Sequence, residues 1–166
     1  MACQETAHGP RNATRWPPRK DTPERYNLAL CYAHGRGVET DRKKAVEHYA
    51  LAAAQGHARA QNNLGSCYSD GCGTERDPQK AVEFYALAAA QGNIDARFNL
   101  ALCYANGDGV GKDPQRAVEC YASAAVQGDA DAQFNLALCY ANGDGVENDS
   151  AKAAHYYALA AAQGED

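Results

Sequence analysis

The sequence predicts an all-α fold, a right-handed α-α superhelix (a solenoid) built from four helix–turn–helix repeats. Similar segments recur at a constant spacing of 36 residues along the 166-residue chain. Each copy contains two stretches whose apolar residues follow the period of an amphipathic helix. A pair of glycines separates the two stretches, as expected for a tight turn between helices. A regular period of this length is typical of repeat architectures.

The repeat is defined by two blocks. The first block starts with Asn-Leu at residues 27, 63, 99 and 135, and each copy continues to Cys-Tyr. The second block starts at residues 45, 81, 117 and 153 and ends in Gln-Gly. The four copies place the repeats at 21–56, 57–92, 93–128 and 129–164, within one solenoid domain spanning residues 21–166. A single helical hairpin cannot bury its apolar side alone, so stacking of neighbours must complete the core.

The second helix of each repeat has clear boundaries. Asp77 and Asp113 each precede a proline, the arrangement of a capping residue followed by proline at the first helical position. Asp41 and Asp149 are the equivalent caps in the outer copies. Helix ends are predicted where a left-handed glycine fits, at Gly56, Gly92, Gly128 and Gly164.

Composition narrows the function classes. Hydrophobic residues make up 45% and charged residues 22% of the chain, which predicts a folded protein. A net charge of -5 argues against nucleic-acid binding, because phosphate contacts need clustered Lys and Arg. No apolar run approaches the roughly 18 residues of a membrane span, and no signal peptide is recognised. The default expectation is a cytoplasmic protein.

Residues 1–20 differ from the repeats. They contain several basic side chains and the segment Trp16-Pro17-Pro18, without an apolar period. This composition predicts a disordered N-terminal leader. A short linear motif or a membrane-surface tether is the alternative.

Four of the seven cysteines occupy one position of the repeat, namely Cys31, Cys67, Cys103 and Cys139. Neighbouring helices pack about 8–10 Å apart, whereas a disulfide needs Cα atoms within about 7 Å. Reduced thiols packed as small apolar groups are therefore expected. A bridge between Cys67 and Cys72 is the alternative that the spacing leaves open.

The motif A-x-A-Q-x-N-L-A-x-C-Y-A-x-G-x-G-V, followed by D-x-x-K-A-x-x-Y-Y-A-x-A-A-x-Q-G, spans residues 57–92, 93–128 and 129–164 with small variations. It resembles the Sel-1-like repeat family, a branch of the tetratricopeptide-type solenoids. The first copy departs from it, with Glu24 where Ala60 and Ala96 stand. The resemblance covers nearly the whole chain and implies an adaptor or scaffold without catalysis.

A helical projection of the first helix separates a buried side around Leu64 from an opposite side that should line the concave groove. Asparagine recurs on the flank of that side, where its amide could bond the main chain of an extended peptide. Related tetratricopeptide proteins use asparagine in this way, which the resemblance suggests here. Aromatic and leucine side chains beside it offer apolar anchors. The candidate protein-binding residues are Asn27, Asn63, Asn99, Asn135, Tyr26, Phe98, Phe134, Leu102 and Leu138.

A structural interpretation of the same residues stays open. The asparagines could cap turns or bond neighbouring helices, and Phe98 and Phe134 could pack one repeat against the next. Tyrosine on the apolar side of the second helix is expected in the core, at Tyr49, Tyr85, Tyr121 and Tyr157.

The sequence contains no recognisable motif for catalysis or metal binding. The turns at 105–110 and 141–146 superficially resemble a calcium loop, but Val110 and Ala117 stand where an EF-hand needs oxygen ligands. The histidines share no repeat position, and no nucleophile elbow, phosphate loop or HExxH motif occurs. We therefore expect no cofactor, no metal and no enzymatic activity.

The leading prediction is an adaptor that binds an extended segment of another protein in its concave groove. Asp95, Asp131, Asp108 and Asp144 make the C-terminal half of that groove acidic, so the segment should place basic residues there. The alternative is an assembly module that self-associates through its uncapped C-terminal repeat.

Overall fold

A computed structural model describes residues 22–163, which form eight α-helices without strands. The leader predicted at residues 1–20 lies outside the described residues. In chain order the helices are α1 (Thr22–His34), α2 (Arg42–Ala54), α3 (Ala58–Asp70), α4 (Pro78–Ala90), α5 (Ile94–Asn106), α6 (Pro114–Ala125), α7 (Ala130–Asn142) and α8 (Ser150–Ala162). The all-α solenoid of four helix–turn–helix repeats is confirmed.

The even-numbered helices begin as the capping pattern predicts. The Asp77 carboxylate accepts a hydrogen bond from the backbone nitrogen of Lys80 at 3.1 Å and pairs with the Lys80 ammonium at 3.3 Å. That ammonium also lies 5.2 Å from the centre of the Tyr68 ring, a cation–π distance. The same set of aspartate, cation and tyrosine recurs in the other three repeats. It ties the start of each second helix to the end of the first helix.

The odd-numbered helices end at glycine. Gly107 follows α5 in the left-handed region, with φ of 82°, and its N–H bonds the carbonyl oxygen of Cys103 at 2.8 Å. Gly109, two residues later, lies against the preceding repeat. A Cβ atom at Gly109 would lie 2.1 Å from the carbonyl oxygen of Pro78. The second glycine of the turn therefore lets successive repeats approach backbone to backbone.

The core contains mostly alanine, leucine and tyrosine. Leu136 on α7 packs against Tyr121, Ala124 and Ala125 of α6. Each helix has extensive contacts only with the helix before it and the helix after it. Small alanine side chains at these contacts allow the close stacking of neighbours.

Thiols are distributed along this core. The described cysteines are all free, namely Cys31, Cys67, Cys72, Cys103, Cys120 and Cys139. Burial, with a smaller effect of the Asp108 charge, raises the pKa of Cys103 to about 11. Such a thiol stays protonated at neutral pH and packs as a small apolar group.

Candidate protein-binding groove

The first helices of the last two repeats enclose a cavity. Its volume is about 330 Å³, and it lies between α5, α6 and α7. Leu102 on α5 and Leu138 on α7, which occupy the same repeat position, supply apolar walls. Polar groups surround these walls, from Asn106, Lys112, Asn135, Asn142 and Asp144. The combination of apolar walls with a few convergent polar groups is typical of a binding pocket.

The floor of the cavity is chemically inert. Burial, with the neighbouring Cys139, Cys103 and Cys120 as smaller causes, raises the pKa of Tyr121 to about 12. Burial followed by the Asp144 charge also raises the pKa of Cys139. Both groups are therefore protonated near pH 7, and they offer a neutral hydroxyl and a neutral thiol rather than a nucleophile.

The four asparagines at the same repeat position, which we call the asparagine ladder, have different surroundings. Asn27 is exposed. Asn63 lies beside the hydroxyl of Tyr49, where its amide opposes the rise that burial causes in the pKa of Tyr49. The Asn99 amide donates to the Oδ1 atom of Asn62 at 3.0 Å, and Asn62 is buried.

The last asparagine of the ladder lines the cavity. Asn135 donates to the backbone carbonyl of Asp131, one turn earlier on α7, at 2.8 Å. Its Oδ1 atom and second amide hydrogen are not engaged in that bond. Asn135 can therefore contribute both an acceptor and a donor to a bound main chain.

The predicted aromatic anchors lie at junctions between elements. Tyr26 stacks on His57 with ring centres 4.6 Å apart, and Phe98 lies 5.9 Å from Tyr121. Both side chains are half-buried in the core clusters. The Tyr26–His57 contact joins the first repeat to the second, whereas Phe98 and Tyr121 lie on the two helices of the third repeat. Both aromatic residues therefore have structural contacts.

Phe134 occupies the same repeat position but is 49% exposed. Its ring lies 5.5 Å from that of Tyr157. The two rings border a hollow of about 480 Å³ that residues of α7 and α8 line, including Ala160 and Ala161. We call this surface the C-terminal face.

Within residues 22–163 no cluster of His, Cys, Asp and Glu has the arrangement of a metal site. In the same part of the chain, no helix is long and apolar enough to cross a membrane.

The repeats match a known family. Residues 25–57, 58–93, 94–129 and 130–165 each match the Sel1 repeat. The chain belongs to the Sel1 repeat family. Sel1 repeat proteins generally mediate protein–protein interactions.

Two solved Sel1 structures are similar to this chain. The Sel1 repeat protein from Oxalobacter formigenes is 37% identical, with a TM-score of 0.82 over 86% of this chain and 57% of that one. The protective antigen c5321 of uropathogenic Escherichia coli is 33% identical, with a TM-score of 0.83 over 87% of this chain and 31% of its own. This Sel1 chain therefore spans little more than half of the first and a third of the second. A search of curated proteins finds no match.

A more distant relative shows the fold alone. Cysteine-rich protein B of Helicobacter pylori is 20% identical to this Sel1 chain, with a TM-score of 0.57 over 70% of it.

Several lining residues of the cavity, among them Tyr121, Lys112 and Cys139, were not among the sequence-based candidates. Tyr121 was assigned to the core alone, yet the buried ring also forms part of the cavity wall. Lys112 follows the glycine turn, and Cys139 belongs to the cysteine column. Their position next to Asn106 and Asn142 depends on how repeats three and four stack, which no pattern within one repeat reveals.

Proposed function

We propose that this Sel1 chain is an adaptor without catalytic activity, and that it binds an extended segment of another protein along its concave groove. The observation that carries the proposal is the cavity between α5 and α7. It combines Leu102 and Leu138 with the amide of Asn135. An apolar side chain of the segment would enter between the leucines, while the amide bonds the neighbouring main chain.

Charge gives the segment an orientation. Asp95, Asp131, Asp108 and Asp144 are exposed along the last two repeats. A segment with basic residues on this side would be attracted during association and held in one register. The attraction should weaken as salt rises, because exposed charges are screened over about 10 Å at 0.1 M salt.

The test begins with peptides selected from a random library displayed on phage, with the full chain as target. Affinity of a selected peptide is then measured for the wild type and for Leu138→Ala. Burial of one leucine side chain against the peptide contributes about 1.5–3 kcal/mol of binding free energy. Leu138→Ala should therefore bind the peptide roughly 10- to 150-fold more weakly. Peptides that bind the groove should share an apolar residue with a basic neighbour.

The matched control is Leu87→Ala. Leu87 is an exposed leucine on α4, outside the cavity lining. Its replacement should leave peptide affinity unchanged, and thermal melts should show that both variants fold. If Leu138→Ala and the wild type bind the peptide with equal affinity, the binding surface does not include the cavity.

A second candidate function is self-association through the C-terminal face. The observation that favours it is the exposure of Phe134 beside the hollow formed with Tyr157. Two copies would meet tail to tail, each covering the apolar surface of the other. Sedimentation should then show a dimer that Phe134→Asp converts to a monomer. A wild-type chain that stays monomeric at high concentration would remove this candidate.

A further inference from the structure

The two ends of the described solenoid expose the two halves of one interface. Leu28 on α1 is 38% exposed, whereas the equivalent leucines of the other repeats, Leu64, Leu100 and Leu136, are 1%, 9% and 0% exposed. In those repeats the leucine packs on the second helix of the preceding repeat. Within residues 22–163, the α1 surface around Leu28 therefore resembles an inner junction that no described helix covers.

The C-terminal face is the complementary half. Tyr157 and Ala161 of α8 are less buried than Tyr121 and Ala125 of α6, which hold the same repeat positions. In the inner junction, α7 covers Tyr121 and Ala125 with Ala132 and Leu136. An α1 helix from a second copy would meet the same kind of surface on α8.

Leu28 and Arg25 of α1 fit such a junction. Leu28 corresponds to Leu136. Arg25 holds the position of Gln133, which donates to the carbonyl oxygen of Ala125 at 3.1 Å. An arginine is accommodated there, since Arg97 holds the equivalent position in α5.

One residue of α1 does not fit. Glu24 stands where the inner repeats have Ala60, Ala96 and Ala132, each with 0% exposure. At those positions the neighbouring repeat leaves room for a methyl group only. Stacking α1 on α8 would force a carboxylate into this space, among alanine side chains, with strong steric and desolvation penalties.

We propose that Glu24 prevents this chain from stacking head to tail with further copies of itself. The contact that it prevents is heterologous, because the α1 surface of one copy would meet the α8 surface of the next. Such a contact repeats from copy to copy, and it builds a filament unless the rotation closes a ring. Glu24 therefore keeps the α1 surface of one copy from packing on the C-terminal face of another.

The inference is tested with the full chain and Glu24→Ala, which restores the residue of the inner repeats. Sedimentation velocity over a range of concentrations should show the variant growing beyond two copies. Its end-to-end association should be at least about 100-fold tighter than that of the wild type, since burial of an unpaired polar group is relieved.

Two control variants identify the surfaces involved. Glu47→Ala removes the same charge from an exposed position on α2 and should sediment as the wild type. Adding Leu28→Asp to Glu24→Ala should abolish the growth, because it places a new charge in the same junction. Tail-to-tail pairing through the C-terminal face stops at two copies and does not involve α1. Growth beyond two copies that depends on Leu28 therefore reports the head-to-tail contact alone.

Two results would overturn the inference. One is a Glu24→Ala protein that sediments as the wild type does at every concentration. The other is a wild-type chain that already extends beyond two copies and stops doing so on Leu28→Asp.

Discussion

The Nδ1 atom of His57 accepts a hydrogen bond from the backbone nitrogen of Ala60 at 3.1 Å, so an imidazole caps the start of α3. In the next two repeats Asn93 and Asp129 hold this position. Only a neutral imidazole can accept this bond. Burial, followed by the nearby Arg59 charge, lowers the pKa of His57 below its ordinary value of 6.5.

Stability should therefore depend on pH through His57. Because the folded-state pKa is lowered, the unfolded chain binds a proton at His57 more readily than the folded chain does. The contribution of the His57 cap to the free energy of unfolding is therefore complete above pH 6.5, and it is lost as pH falls from 6.5 through the folded-state pKa. His57→Asn supplies a cap that does not titrate. We expect the melting temperature of the wild type to fall relative to that of His57→Asn over this range. If the two melting temperatures change by the same amount between pH 7.5 and about pH 5, this assignment is wrong.

Replacement of Gly109 by alanine should strongly destabilise the chain. Its φ of 71° is unfavourable for alanine, and the new Cβ would collide with the carbonyl oxygen of Pro78. Together these effects should lower the free energy of unfolding by about 2–4 kcal/mol. Gly111→Ala is the matched control, because no atom lies within 4 Å of a Cβ placed there. Urea denaturation of both variants measures the difference, and equal midpoints would exclude a close approach at Gly109.

Asn99 and Asn135 should respond differently to alanine substitution. Asn99→Ala leaves the Oδ1 atom of buried Asn62 without its donor, which should cost about 1–3 kcal/mol of stability. Asn135→Ala removes a bond to an exposed turn of its own helix, and stability should change by less than about 0.5 kcal/mol. Denaturant titrations of the two variants compare these values. If the larger loss follows Asn135→Ala, the assigned hydrogen bonds are wrong.

Cys103 should react slowly with thiol reagents in the folded protein. Burial and the Asp108 charge raise its pKa to about 11, so the thiolate fraction at pH 8 is small. We expect alkylation about 100-fold slower than in the denatured chain. Mass spectrometry of peptides after timed labelling follows Cys103 separately from the other cysteines. Rapid labelling of Cys103 without prior unfolding would show that the thiol is accessible.

Local features of the fold could be predicted from the sequence because they depend on neighbouring residues. Asp77 caps α4 through a backbone nitrogen three residues away, and Gly107 ends α5 through a bond within one turn. Both interactions are complete within a single repeat. Because the sequence repeats every 36 residues, each interaction recurs along the chain.

The surroundings of the candidate site residues depend on stacking and could not be predicted in the same way. Phe98 and Leu102 lie one turn apart on α5, yet only Leu102 lines the cavity. Asn99 bonds Asn62 because repeat two has asparagine where repeat three has Phe98. That exchange between repeats gives Asn99 an amide–amide bond, whereas Asn63 lies beside the Tyr49 hydroxyl and Asn135 bonds its own helix.

The restriction of extensive contacts to successive helices has a consequence for folding kinetics. Residues that touch are close in sequence, so little chain entropy is lost before each contact forms. Low contact order of this kind is associated with folding on the order of microseconds to milliseconds. Any neighbouring pair of helices could nucleate the process, which would then spread in both directions. Amide exchange should accordingly be slowest in the middle repeats and fastest at α1 and α8, which each have one neighbouring helix within the described residues.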